Sequence, residues 1–218
     1  MKKKARLFDI RRLPQDIARL VCLPLIPWYR MQRLTPEGSK YKARLRGGAI
    51  VAANHTAFTD PFSAGVAFWY RRMFFLVAEI VMQGKLRRAL LRGVGAVEID
   101  RHSADIEAIK KSVAILKSGR VLTVFPQGGI TAGEELGALK SGAVLMALQA
   151  DVPIVPMHIV PKKKWYHRRR VIIGTTLYPK AMVTKKIPST ADINRITDAL
   201  MEEMNRCRAY AAQPEEVT

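Results

Sequence analysis

Ala49-Ile50-Val51-Ala52-Ala53-Asn54-His55-Thr56-Ala57-Phe58-Thr59-Asp60-Pro61 passes from an apolar run into a polar heptapeptide and then a proline. The first five residues are short, apolar and partly β-branched, the pattern of a strand buried on both faces. Asp60-Pro61 predicts a helix start, with the aspartate as N-cap and proline at the first helical position. His55 is thereby expected at the carboxyl end of a strand, the edge of an open α/β sheet where ligands bind. A neutral imidazole there can take a proton from a hydroxyl, and a carboxylate on its other nitrogen would fix the tautomer. On these residues alone a second reading stands equally: Asp60 caps a helix and His55 is an ordinary loop residue.

Outward from this stretch, apolar runs predict strands at 49–53, 73–78, 95–99, 121–125, 153–159 and 170–176. Helices are expected between them at 61–71, 84–92, 104–118, 140–150 and 190–212. Ile106, Ile109, Val113 and Leu116 mark one helix face, with Gly119 as its stop. Ser189 and Asp192 have capping-box spacing before a helix whose face is Ile193, Ile196, Leu200, Met204 and Cys207. Strands alternating with helices predict an α/β fold with a mostly parallel central sheet flanked by helices. The pair 153–159 and 170–176, separated by a basic loop, could be antiparallel.

The chain has 218 residues and is 49% hydrophobic, enough for one globular domain. Its two cysteines, Cys22 and Cys207, lie in apolar or helical stretches without metal-ligand spacing, which suits packing in a reducing compartment. The net charge of +19 directs the chain toward a polyanion. Lysines and arginines crowd residues 2–12, 85–92 and 162–170. Leu7, Ile10, Ile17, Leu20 and Val21 approximate a helical stripe among basic residues, followed by the apolar run Leu20–Tyr29 that includes Trp28 and Tyr29. That run is shorter than the ~20 apolar residues a bilayer span needs, and it lacks a small-residue cleavage site. It predicts a basic, amphipathic, membrane-anchoring helical segment at 1–34, ahead of a single domain at 35–218. A helix packed on the protein's own core is the alternative. The charge also raises a second function class, a non-enzymatic nucleic-acid binder. Against it, no recognition-helix or zinc-finger pattern is present, and 7% aromatic residues leaves little for base stacking.

Four blocks in order resemble the glycerolipid acyltransferases, most closely the bacterial 1-acylglycerol-3-phosphate acyltransferases, over about residues 48–160. His55 and Asp60 match that family's H-x4-D motif. Gly95-Ala96-Val97-Glu98-Ile99-Asp100-Arg101 is similar to its second block, Phe125-Pro126-Gln127-Gly128-Gly129 to its F-P-E-G-T block, and Val152-Pro153-Ile154-Val155-Pro156 to its V-P-V-x-P block. Lys140-Ser141-Gly142-Ala143 sits where the family often has K-x-G-A. The resemblance implies transfer of a fatty acyl group from an acyl-CoA or acyl carrier protein thioester to lysophosphatidic acid. It implies no metal or redox cofactor, and work on the cytoplasmic face of an anionic cell membrane as a peripheral or monotopic protein. By the same resemblance His55 is the base and Asp60 its orienting carboxylate. Arg101 grips the acceptor phosphate, and amides of Gln127, Gly128 and Gly129 meet the oxyanion. Ile154 and Met157 are expected in the acyl pocket.

The chain departs from the family in one block. Gln127 replaces the usual glutamate, Gly129 the usual threonine and Ile130 the usual arginine. Lys140 or a residue of another basic cluster is then the expected substitute phosphate ligand, and Gln127 can still hydrogen-bond an acceptor hydroxyl or orient the loop. A different acceptor, such as a lyso-aminolipid, glycerol phosphate or a lysophospholipid with a larger head group, is the rival within the same chemistry.

Overall fold

The computed structural model describes residues 13–22, 31–100, 105–129, 137–161, 169–184 and 187–213. A seven-stranded sheet forms its centre, in the order β1-β7-β6-β2-β5-β3-β4. The strands are β1 (Gln32–Leu34), β2 (Ala49–Ala53), β3 (Met73–Ala78), β4 (Ala96–Ile99), β5 (Val121–Val124), β6 (Ile154–Ile159) and β7 (Arg170–Ile173). The helices are α1 (Leu13–Cys22), α2 (Asp60–Ala67), α3 (Lys85–Gly93), α4 (Ile106–Lys117), α5 (Gly142–Ala150) and α6 (Thr190–Ala211). Every pairing is parallel except β6 with β7, so β1 and β7 run against the other five. The parallel α/β sheet and its antiparallel edge are as the sequence predicts.

Strand β2 is central, between β5 and β6. All five of its residues are buried, because helices cover both faces and no position alternates toward water. Ile50 and Ala52 join the core under α4, α5 and α6; Ala49, Val51 and Ala53 join the one under α2. This alternation follows from the period of two along a strand. A fully buried aliphatic such as Ile50 contributes roughly 1.5–3 kcal/mol by leaving water, so the strand that carries the heptapeptide is held firmly.

Element ends follow their local chemistry. Asp105 caps α4 by accepting the Ala108 N–H, and Gly119, at φ +81°, follows its last turn. Ser189 and Asp192 form the expected capping box at α6, whose buried face includes Ile196, Leu200, Met204 and Cys207. Burial pushes the Cys207 thiol up to about 12, as befits a packing residue. Three expectations change. Ile106 is 63% exposed; of the predicted face, α4 turns Val113 and Leu116, with Ile109 partly, into the core. Residues 32–34, grouped by sequence with the anchor segment, form β1 beside β7; three residues without an apolar run give too little periodicity to find. Helix α2 begins at Asp60 with Thr59 as N-cap, and the Asp60 carboxylate turns back into the preceding loop instead.

Helix α1 packs through polar side chains. Gln15, 3% exposed, donates to the carbonyls of Met73 (2.5 Å) and Val94 (3.4 Å). Arg72 Nε donates to Asp16 at 2.8 Å. Its other side leaves Leu13, Ile17 and Leu20 half or more exposed. The remaining residues of the expected anchor, 1–12 and 23–30, lie outside the described residues. Among the described residues no helix is long and apolar enough to cross a membrane.

Candidate active site

Strand β2 ends at Ala53 while its neighbour β6 continues to Ile159, so the chain must leave the sheet beside unpaired strand backbone. Asn54 fills the gap. Its side-chain Oδ1 accepts the Ile159 N–H at 2.6 Å, and its Nδ2 donates to the Ile159 carbonyl at 3.1 Å. A buried amide thus stands in for one residue of strand pairing and satisfies both backbone groups. His55 follows directly, so this clamp sets its position relative to the sheet.

His55 is 9% exposed and stacks on Phe125, with ring centroids 4.2 Å apart. Its Nδ1 lies 3.2 Å from Asp60 Oδ2. The same carboxylate oxygen accepts the N–H groups of Thr56 and Ala57, each at 2.7 Å. Asp60 is fully buried. Burial alone would raise its pKa, but the hydrogen bonds from His55, Ala57 and Thr56 outweigh it and hold the carboxyl below its ordinary value. An ionised carboxylate favours the tautomer with the proton on Nδ1, leaving Nε2 as the imidazole's acceptor. Just before Asp60, Thr59 Oγ1 accepts from Arg169 Nη2 at 3.4 Å, tying the loop to the start of β7.

The Phe125–Gly129 turn closes over this loop. Gln127 Oε1 accepts the His55 backbone N–H at 3.3 Å. Gly128, at φ +78°, donates its N–H to the Phe125 carbonyl at 3.0 Å. A Cβ at Gly128 would stand 3.0 Å from the flexible end of Lys140, so it is the left-handed conformation that calls for glycine here. Lys140 is joined to the turn by its own N–H, which donates to the Pro126 carbonyl at 2.9 Å. The structure therefore brings His55, Asp60, Gln127, Gly128, Gly129 and Lys140 to one edge of the sheet. It also bears on two roles. Gln127 contacts the His55 backbone, and the Gly128 amide is occupied within the turn.

From His55 a groove of about 1120 Å³ runs along β3, roofed by α2, α4 and α5 and reaching α1. Its walls are mostly apolar and include Phe62, Phe75, Val77, Ile99, Ile109 and Met146. Strand β3, about 17 Å long at ~3.3 Å per residue, gives the groove its length, from Val77 near the site to Met73 and Gln15 at the far end. Lys140 lines it near His55. Ile154 and Met157, expected in the acyl pocket, do not. Both are fully buried in β6, on opposite faces of the sheet, where core packing uses them. Arg101, Ile130, His102 and His167 lie outside the described residues. His158, buried in β6, has no partner for Nδ1 among the described residues. Burial, reinforced by Arg208 and only partly opposed by Asp60, lowers its pKa to about 4. Among the described residues no group of acidic, histidine or cysteine side chains could hold a metal ion.

Asn54, Phe125, Arg169 and the groove walls went unassigned in the sequence. Asn54 carried a faint signal, since it directly follows the last strand residue; Phe125 lay inside a recognised block without a role.

Residues 33–160 match the family model described as acyltransferase. The 1-acyl-sn-glycerol-3-phosphate acyltransferase of Bacillus subtilis (strain 168) is 28% identical over 162 residues, 72% of this chain and 79% of that protein. A probable 1-acyl-sn-glycerol-3-phosphate acyltransferase of Mycoplasma pneumoniae is 31% identical over 152 residues, 67% of this chain. The match spans 55% of that relative's length. Among solved structures, the 1-acyl-sn-glycerophosphate (LPA) acyltransferase PlsC from Thermotoga maritima superposes with a TM-score of 0.63, covering 94% of this chain and 83% of that one. At 18% identity, that likeness speaks for the fold.

Proposed function

The chain belongs to the acyltransferase family, and from that premise we propose that it transfers a fatty acyl group from an acyl thioester to the free hydroxyl of lysophosphatidic acid. The observation that carries this reading is the His55–Asp60 pair at the mouth of a long apolar groove. The loop Asn54–Asp60 holds no serine or cysteine, which suits direct attack by a substrate hydroxyl. A groove of this length suits a hydrocarbon chain.

The proposed step balances as follows. The acceptor hydroxyl oxygen attacks the thioester carbonyl carbon while its proton passes to His55 Nε2. Asp60, ionised and fixed by two backbone N–H groups, stabilises the imidazolium that forms. The tetrahedral oxyanion is met by the Gly129 amide, since the Gly128 amide is taken. Collapse breaks the carbon–sulfur bond, and the thiolate takes the proton back from His55. The products are an ester and a free thiol, and no redox change occurs. Lys140 is the described cation nearest the turn and is proposed to bind the acceptor phosphate, together with Arg101. Coenzyme A and acyl carrier protein both remain donors under this reading, and the proposed place of action is the cytoplasmic face of the membrane.

Gln127 bears on the rival acceptors. A glutamine at a glutamate position would argue for another head group if its side chain faced the acceptor. Its contact with the His55 backbone favours a positioning role and leaves the reaction class unchanged. A buried histidine–aspartate pair over an apolar groove also speaks against the nucleic-acid reading.

The test is transfer from a labelled acyl thioester to lysophosphatidic acid in detergent micelles. The wild type is expected to form product. His55→Ala, checked for folding, is expected to be slower by roughly 10²–10⁴-fold. Full activity of the variant would end this reading.

A further inference from the structure

Helix α3 is a nine-residue surface helix with the sequence Lys-Leu-Arg-Arg-Ala-Leu-Leu-Arg-Gly, and none of its residues is buried. Leu86, Leu90 and Val94 fall at i, i+4 and i+8, one row on its surface, and are 76%, 63% and 41% exposed. Ile80, in the short 3₁₀ turn Glu79–Met82 that precedes the helix, is 71% exposed. An amphipathic helix whose apolar row meets no core needs another explanation than folding.

The row is continuous with the groove. Val94 and Leu91 line it, as does Val81 beside Ile80. Other large apolar side chains that line the groove are also exposed: Phe58 at 80%, Leu20 at 69% and Trp69 at 49%. The charge around the row has one sign. Lys85, Arg87, Arg88 and Arg92 flank it, and the helix carries no acidic residue. Arg88 and Arg92 share Glu98 on the chain itself, each at 2.9 Å.

We propose that α3 lies on the surface of an anionic lipid leaflet, with Leu86, Leu90 and Ile80 among the acyl chains and Lys85 and Arg87 at the head groups. The contact would be additional to the N-terminal segment, and it rests on the lysolipid-acyltransferase reading above. An interfacial helix buries its apolar face to about 5–10 Å while basic residues gain from the negative surface potential. Docked this way, the far end of the groove, beside Val94 and Gln15, would face the acyl-chain layer, so a hydrocarbon chain could enter without crossing water. An acidic protein is the competing occupant. The leucines disfavour it, because they form the exposed centre of the face while two of the four cations are paired within the chain.

The test is flotation of the full chain on phosphatidylcholine vesicles with and without phosphatidylglycerol. Leu86→Gln/Leu90→Gln is expected to lower partitioning onto the phosphatidylglycerol vesicles roughly tenfold or more, at low and high salt alike. Lys85→Gln/Arg87→Gln is expected to remove most of the preference for phosphatidylglycerol, an effect that salt also produces in the wild type. Neither pair lines the groove or contacts His55, so transfer from acyl-CoA to a short-chain, monomeric lysophosphatidic acid should be unchanged in both. Wild-type partitioning by the leucine variant would overturn the proposal. So would intact flotation with a loss confined to acyl carrier protein as donor, which would make α3 a protein-docking helix. Should the wild type transfer to no lysolipid at all, the function reading fails on its own, and the flotation arm still decides the lipid contact.

Discussion

The loop Asn54–Asp60 and the groove beside it are neighbours built by opposite means. In the loop, polar contacts fix position: Asn54 on Ile159, Gln127 on the His55 N–H, and one Asp60 oxygen on three donors. All of this is organised by seven consecutive residues at the end of one buried strand. The groove is built otherwise: apart from the Gln15 bonds to Met73 and Val94 at its far end, its walls are mostly apolar side chains lent by α2, α4, α5 and β3. Proton transfer needs sub-ångström placement and therefore contiguous, hydrogen-bonded residues. A hydrocarbon chain needs only shape and dryness, which scattered residues can supply.

The sharpest way to break this contrast is inside the loop. Asp60→Asn keeps an oxygen for Thr56 and Ala57 but removes the charge that favours imidazolium. We expect kcat/KM to fall roughly 10²–10⁴-fold with the fold retained, read by acyl transfer beside circular dichroism. Asn54→Ala orphans a buried N–H and C=O at Ile159, and should destabilise the protein by roughly 2–6 kcal/mol in urea unfolding. A loss below 1 kcal/mol would mean that water replaces the clamp and that His55 is placed by other contacts.

Legibility divides along the same line. His55, Asp60 and the α/β alternation could be read because each rests on adjacent residues or a fixed period. The misassignment of Ile154 and Met157 has a physical cause: an apolar run looks the same whether it lines a pocket or fills a core, and β6 lies inside the sheet, between β7 and β2. Gln127 showed as a departure from a pattern, but its bond to His55 joins residues 72 positions apart, which no local pattern reveals. Strand β1 failed for the opposite reason, being too short to have a period.

His158 offers a test away from both regions. Its folded pKa, lowered to about 4 from 6.5, means that the unfolded chain binds the extra proton first as pH falls. Its contribution is therefore fully present above pH 6.5 and is lost as pH drops toward about 4. The window should cost about 3 kcal/mol of stability. His158→Gln should flatten that part of the stability curve, measured by urea unfolding from neutral to acid pH. An unchanged slope would mean that the histidine is hydrated.

The smallest expected effect lies in the groove. A Cβ at Gly65 would meet only Phe75 Cζ, at 3.9 Å, so a side chain can start there without a clash, and Gly65→Leu would narrow the groove that Gly65 lines. It should lower kcat/KM for long-chain donors roughly tenfold relative to short-chain ones and leave the short-chain rate near wild type. An equal loss for all chain lengths would separate the groove from the acyl chain.

The most direct test of the account is a double-variant cycle on acyl transfer to lysophosphatidic acid, using wild type, His55→Ala, Asp60→Asn and the pair together. Asp60 is held to act through His55, so the double variant should be no slower than His55→Ala alone. If Asp60→Asn slows the His55→Ala protein by the same factor as it slows the wild type, the two residues act independently and the proposed dyad is wrong.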